Sequence, residues 1–143
     1  MQKGWILQKK NKIKNYFIEK KLSTFENKAL RLIKINKIKI ICLAGFMRIL
    51  SSNFIKKVSI PILNIHPSLL PKLKGLNTHE RAIKAKYKFS GCTVHYVNEK
   101  LDSGKIIIQK KVKILKSDNP ITLGKKILKL EHKAYAEALE KII

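Results

Sequence analysis

Two apolar runs constrain this chain more than any other feature. Ile38 to Ala44 is almost continuously apolar, broken only by Lys39, and Ile62-Leu63-Asn64-Ile65-His66 forms a second run between Pro61 and Pro67. Apolar runs of this length, bounded by Gly45 and by prolines, read as strands covered on both faces in a parallel sheet. Pro67 has no N–H to donate and must end the second strand. Helical patterns alternate with these strands. Phe25, Ala29, Leu30 and Ile33 share one helix face behind a Ser23 or Thr24 cap, and Ser51/Ser52 open a short helix to Val58. Thr78 caps a third helix, and Asn119-Pro120 starts a last one whose apolar face is Leu123, Ile127, Leu130, Ala134 and Leu139. Trp5–Lys10 reads as a helix tail, Lys12–Ile18 as a short strand, Gly91–Val97 as a strand, and Lys105–Leu115 as a long strand or bent pair. Alternation of this kind predicts an α/β domain with a mainly parallel central sheet. At 143 residues the chain is one domain, 1–143, with no linker or repeat to divide it.

Composition limits the partners. The chain has 32 Lys+Arg against 9 Asp+Glu, a net charge of +23. Such a surplus invites a nucleic-acid reading, but Arg31, Arg48 and Arg81 are the only arginines. Arginine is the side chain suited to bidentate phosphate and base contacts. Lys, Ile and Asn, all with A/T-rich codons, are inflated together, so nucleic acid is not expected as the main partner. The lysines would still steer anionic small molecules toward the surface. The longest apolar run, Ile40 to Met47, falls far short of a membrane span, and Trp5-Ile6-Leu7 is too short for a secretory signal. A cytoplasmic domain is therefore expected. Cys42 and Cys92 lack metal-site or disulfide-framework spacing and read as inert packing in apolar strands. No metal is expected.

Asn64 and His66 stand two apart on a strand, so they face the same way. They sit at its carboxyl end, where open α/β sheets bind ligands. Polar residues interrupting a buried strand only at that end mark a local inconsistency of the kind found at functional sites. Downstream, Leu101-Asp102-Ser103-Gly104 puts a carboxylate in a turn after the Thr93-Val94-His95-Tyr96-Val97 strand. An amide, an imidazole and a carboxylate converging there suit acyl transfer. The amide can donate to a developing oxyanion, and the imidazole can move a proton, oriented by the carboxylate. No activated Ser or Cys belongs to this set, which favours direct transfer to an external amine.

Ala44-Gly45-Phe46-Met47-Arg48-Ile49-Leu50, Asn64 to Pro71, Gly75-Leu76-Asn77-Thr78-His79 and Leu101-Asp102-Ser103-Gly104 together resemble the folate-dependent formyltransferase family. Gly75–His79 and Leu130-Glu131-His132 point to its glycinamide ribonucleotide branch. The resemblance runs from about residue 13 to the end. It implies a Rossmann-like fold and transfer of a formyl group from 10-formyltetrahydrofolate to the amine of glycinamide ribonucleotide in purine synthesis. It makes Asn64, His66 and Asp102 the catalytic trio. Met47, Arg48, Ile49 and Leu50 would line the folate pocket, with the Val97–Asp102 turn opposite. Ser68, Gly75 and Glu131 would approach the ribonucleotide, Glu131 at its ribose hydroxyls. By the same resemblance His79 lies near the nucleotide, His95 gives structural support, and His132 is a surface residue.

The family pattern also opens with a strand and a Gly-rich turn that cradles phosphate on backbone N–H groups. Nothing in this chain matches that turn, and Asn77 stands where the family has His. The first strands and the Gly-rich loop are thus expected to be missing, leaving folate affinity stronger than nucleotide affinity. Two other readings stay open at this stage. One is another folate formyl-handling enzyme, a methionyl-tRNA formyltransferase or a formyltetrahydrofolate hydrolase. The Lys72–Leu76 stretch lacks the Arg-Gly-Ala character expected of the tRNA enzyme. The other is a non-catalytic remnant.

Overall fold

The computed structural model describes Lys14, Tyr16 and residues 21–143. Two compact units, 1–36 and 37–143, divide the chain. In the first, helix α1 spans Leu22–Ile35. Its N-cap is Lys21, which makes no side-chain cap bond, so Ser23 and Thr24 lie inside the first turn instead of capping it. Asn36 closes the other end by donating from its amide to the Leu32 carbonyl at 2.9 Å. The readings of Trp5–Lys10 and Lys12–Ile18 lie outside the described residues, Lys14 and Tyr16 apart.

The second unit carries strands β1 (Ile41–Leu43), β2 (Ile62–His66), β3 (Phe89–Tyr96) and β4 (Ile106–Lys113), with helices α2 (Ser52–Lys57), α3 (Thr78–Lys84) and α4 (Pro120–Glu140). Sheet order is β1-β2-β3-β4. β1 runs parallel to β2, with Ile41 opposite Ile62, as two adjacent apolar strands should. The β2–β3 and β3–β4 pairs are antiparallel. Among the described residues the sheet is therefore mixed, not mainly parallel. The β3–β4 connection, Val97 to Lys105, holds no helix, and so short a link joins only antiparallel neighbours.

Alternation along β2 and β3 separates two kinds of surface. Leu63, Ile65, Cys92 and Val94 enter the main core with Leu123, Ile127, Ala134 and Ala138 of α4. Each fully buried Leu, Ile or Val side chain there contributes about 1.5–3 kcal/mol. Asn64, His66, Thr93 and His95 occupy the intervening positions and face the other way. The apolar face of α4 is as the sequence predicts, with Leu130 and Leu139 packed at the edge of the core. Asn119 caps α4 by accepting from the Ile121 and Thr122 N–H groups, both at 2.9 Å, and Pro120 fills the first turn. The Tyr135 hydroxyl reaches the Leu43 and Leu63 carbonyls at 2.9 and 3.2 Å, tying α4 across the ends of β1 and β2. β1 itself is shorter than its apolar run, and Cys42 is exposed on it, not packed inside. Cys92 is buried, and burial pushes its thiol up to about 11.

Candidate active site

The carboxyl end of β2 delivers Asn64 and His66, and pairing with β3 sets His95 opposite Asn64 and Thr93 opposite His66. Asp102 comes from the turn that follows β3, in a left-handed conformation (φ 45°) that a residue with a side chain adopts only at a cost of about 1–3 kcal/mol. Leu73 and Asn77, also left-handed, flank the same region (φ 54° and 56°). Strain of this kind concentrates where surrounding bonds over-determine a geometry. Gly104 permits the Asp102 turn, because a Cβ there would stand 1.7 Å from the Tyr96 carbonyl oxygen.

The trio meets. His66 Nδ1 lies 3.4 Å from Asp102 Oδ2, and both side chains are over nine-tenths buried. His66 Nε2 is 2.9 Å from the Leu73 carbonyl oxygen, which can only accept, so Nε2 carries a hydrogen. A bare Nδ1 facing a carboxylate would be repelled, so the His66–Asp102 contact is attractive only with a proton between them. The Gly75 N–H donates to the same Oδ2 at 2.8 Å and fixes the carboxylate. His95, read from sequence as structural support outside the trio, stands within it: its Nε2 is 3.3 Å from Asn64 Nδ2 and 3.9 Å from Asp102 Oδ1. Burial lowers the pKa of His95.

The segment after His66 is held from behind. Thr93 Oγ1 donates to the Ser68 carbonyl at 2.6 Å and accepts from the Leu70 N–H and the Gln109 amide. Gln109 also donates to the Leu70 carbonyl at 2.9 Å. The Ser68 hydroxyl donates to the Lys72 carbonyl at 2.7 Å. Ser68 is fully buried and does not line the cleft, so the structure does not bring its side chain to the place the resemblance implies.

In front of the trio opens a cleft of about 980 Å³. Met47, Arg48, Ile49 and Leu50 line it together, Met47 and Ile49 largely exposed and Leu50 buried. Gly75, Leu76 and Leu101 line it as well. From α4 come Glu131, whose carboxyl is pushed up by burial, and His132, exposed at the rim. His79 also lines it, with burial lowering its pKa and with Nδ1 buried and unbonded. Asn77, not Thr78, is the N-cap of α3, and it makes no side-chain cap bond. Among the described residues no helix is long and apolar enough to cross a membrane.

Sequence reasoning gives His95 as structural support without naming its partners, and misses the Leu73 carbonyl, the Gly75 N–H and the Thr93–Gln109 brace. Two of these are backbone groups with no side-chain signature. The other contacts depend on strand register, which residue pattern alone does not supply.

The Formyl transferase family model matches residues 5–139. The trifunctional purine biosynthetic protein adenosine-3 of Gallus gallus is 45% identical over 116 residues, covering 81% of this chain and 12% of that protein. Phosphoribosylglycinamide formyltransferase of Bacillus subtilis is 36% identical over 121 residues, covering 85% of this chain and 62% of that enzyme. The crystal structure of phosphoribosylglycinamide formyltransferase from Anaplasma phagocytophilum superposes with a TM-score of 0.91 at 38% identity, covering 97% of this chain and 68% of that one. The mixed sheet with its helices is thus the Rossmann-like α/β arrangement of those enzymes. By family match, by relatives and by fold, this chain belongs to the formyl transferase family, in its phosphoribosylglycinamide formyltransferase branch.

Proposed function

We propose that the chain transfers a formyl group from 10-formyltetrahydrofolate to the amine of glycinamide ribonucleotide, in the cytoplasm. The observation that carries this reading is the convergence of Asn64, His66 and Asp102 on one end of one cleft, with a hydrogen-bond donor beside a proton-holding pair. The cleft suits the co-substrate: it has the volume of a small-molecule site, and its rim offers Met47, Ile49 and Leu101 as apolar surface for a flat ring system. When bound, the folate supplies a formyl group on nitrogen, ready to pass to an amine.

The chain's own residues divide the work. Asn64 Nδ2 donates to the formyl oxygen as negative charge gathers there, a role worth about 10²–10³ in rate. His66 and Asp102 hold a proton at Nδ1 and Oδ2 and pass it as the incoming amine loses one and the departing nitrogen gains one. The Gly75 N–H and the Leu73 carbonyl keep that pair from rotating. Met47, Arg48, Ile49 and Leu50 hold the folate. Gly75 and Glu131 face the ribonucleotide, and net charge of +23 draws its phosphate by long-range attraction. Ser68 enters this reading only through the turn that its hydroxyl stabilises.

The test is a transfer assay with the purified chain, both substrates, and tetrahydrofolate appearance as the signal. Transfer by the wild-type chain, reduced at least about 100-fold in Asn64→Ala, is expected. A folded wild-type chain that neither transfers formyl nor binds a folate analogue would overturn the reading.

A further inference from the structure

Asn64 and His95 are direct cross-strand partners in the antiparallel β2–β3 pair. Opposed positions carry their side chains on one face within reach of each other. Asn64 Nδ2 and His95 Nε2 meet at 3.3 Å. The other ring nitrogen, Nδ1, lies 2.8 Å from the Tyr96 carbonyl oxygen. A carbonyl accepts and never donates, so Nδ1 carries the hydrogen and the neutral ring leaves Nε2 as a bare acceptor. An acceptor at that spot selects one of the two rotations of the Asn64 amide. The NH₂ group turns toward His95 and Oδ1 turns away. One Nδ2 hydrogen is used by His95, and the second stays available as a donor.

The ring is held for this task. His95 is only 3% exposed. On the far edge of β3 the register shifts between Val94, opposite Ile108, and His95, opposite Ile106. The extra residue, Ile107, belongs to β4, so the bulge bends that strand and leaves His95 in regular register with Asn64; bulges gather beside active sites. Gly104 lies so close to Tyr96 that a Cβ there would stand 1.7 Å from the Tyr96 carbonyl oxygen, so glycine leaves that carbonyl in place to accept from His95 Nδ1.

We infer that His95 is a positioning residue: its unprotonated Nε2 fixes the rotation of the Asn64 carboxamide so that an N–H, and not the amide oxygen, is offered to the reacting group. This inference rests on Asn64 being the oxyanion donor proposed above. The groups that face His95 are Asp102 from the turn after β3, His66 on β2, Lys74 before α3, and the Tyr96 carbonyl. Burial is the largest influence and favours the neutral ring; Tyr96 and Asp102 favour the protonated ring, while His66 and Lys74 oppose it. The balance keeps Nε2 bare at neutral pH. Protonation in acid would convert Nε2 to a donor and force the Asn64 amide to turn over, withdrawing the donor from the cleft.

Two measurements on the full chain test this. In ¹⁵N-histidine-labelled protein at pH 7.5, long-range ¹H–¹⁵N spectra should show His95 as the neutral Nδ1–H tautomer. An Nε2–H tautomer or a doubly protonated ring would overturn the inference, whether or not the chain is active. The kinetic arm compares His95→Phe and His95→Gln in the wild-type and Asn64→Ala backgrounds. His95→Phe should lower kcat roughly 10- to 100-fold, with KM for both substrates within about 3-fold. His95→Gln, whose Oε1 can accept from the amide, should restore most of the loss, and this arm stands even if the Phe variant fails to fold. In the Asn64→Ala background His95→Phe should cost less than about 2-fold, because the residue it positions is gone. Full additivity of the two losses, or no rescue by Gln, would overturn the role. A folded wild-type chain without transfer would instead count against the proposed reaction, and the tautomer would then decide the inference alone.

Discussion

The floor and the rim of the cleft are built by opposite rules. On the floor, His66 and His95 are 5% and 3% exposed, and both nitrogens of each ring and Asp102 Oδ2 have a partner. On the rim, Met47 and Leu76 are 78% and 65% exposed, and they present apolar surface to water. Buried polar groups left without partners cost about 1–3 kcal/mol each, so a floor of this kind is rigid or it does not form. Exposed apolar side chains carry no such penalty and can shift to suit a ligand. Under the proposed function, the floor holds the chemistry preorganised and the rim offers an adaptable binding surface.

Mutations on the floor should therefore produce the largest effects. Asp102→Ala removes the partner of the shared proton and the anchor of the Gly75 N–H, and transfer should fall by about 10³ in a steady-state assay. Loss below about 10-fold would mean that the floor is less interdependent than its bonds indicate. Next comes a pair of glycine substitutions. Gly104→Ala puts a Cβ 1.7 Å from the Tyr96 carbonyl oxygen, whereas Gly45→Ala at the cleft meets nothing within 4 Å and carries only its φ of 62°. Urea unfolding should show a loss on the order of 3 kcal/mol for the first and about 1 kcal/mol for the second. Equal losses would erase the contrast between the two regions.

Rim substitutions come third. Met47→Ala and Leu76→Ala should leave unfolding free energy within about 0.5 kcal/mol of wild type. Calorimetric titration with a folate analogue should register Met47→Ala as a several-fold weaker Kd. The smallest effect sharpens the boundary between the regions. Glu131 is half-buried and its carboxyl is raised above the usual 4.5 by burial, with His132 and His66 opposing. A raised carboxylate favours the fold below the unfolded pKa and loses that contribution as pH rises through the folded value. Glu131→Gln should thus raise Tm at pH 7.5, and the gain should fade toward pH 4.5 in scanning calorimetry. A gain that grew on acidification would reverse the sign.

Legibility in the sequence followed the same divide between side-chain pattern and backbone geometry. The two apolar strands, the Ser51 and Asn119 caps and the apolar face of α4 were readable because each depends on residue type at a fixed local spacing. The convergence of Asn64 and His66 is legible because both interrupt a buried strand at its carboxyl end. Antiparallel pairing of β2 with β3 is not, since the connection from Pro67 to Lys88 is long enough to return the chain in either direction. The sequence therefore marks His95 only as structural support outside the trio, and what it touches becomes visible once Asn64 stands opposite it. Residue type marks Thr78 as a cap, but the left-handed turn at Asn77 puts the boundary one residue earlier. The exposure of Cys42 was equally hidden, because a continuous apolar run does not say which of its positions will be covered.

The register of β2 against β3 also decides where this domain can change its length. A single residue inserted between Thr93 and Val94 would turn His95 toward the core and Val94 toward the cleft, because side chains alternate along a strand. The donor on Asn64 would lose its partner and the core would gain an imidazole. The turn at Ala85 and Lys86, exposed and outside any strand, has no such coupling. Doubling a loop there costs only about 0.6 kcal/mol in closure entropy. Insertions in descendants of this chain should accumulate before Phe89 and stop there, so that a length-variable hinge abuts a stretch where the residue count is held by chemistry.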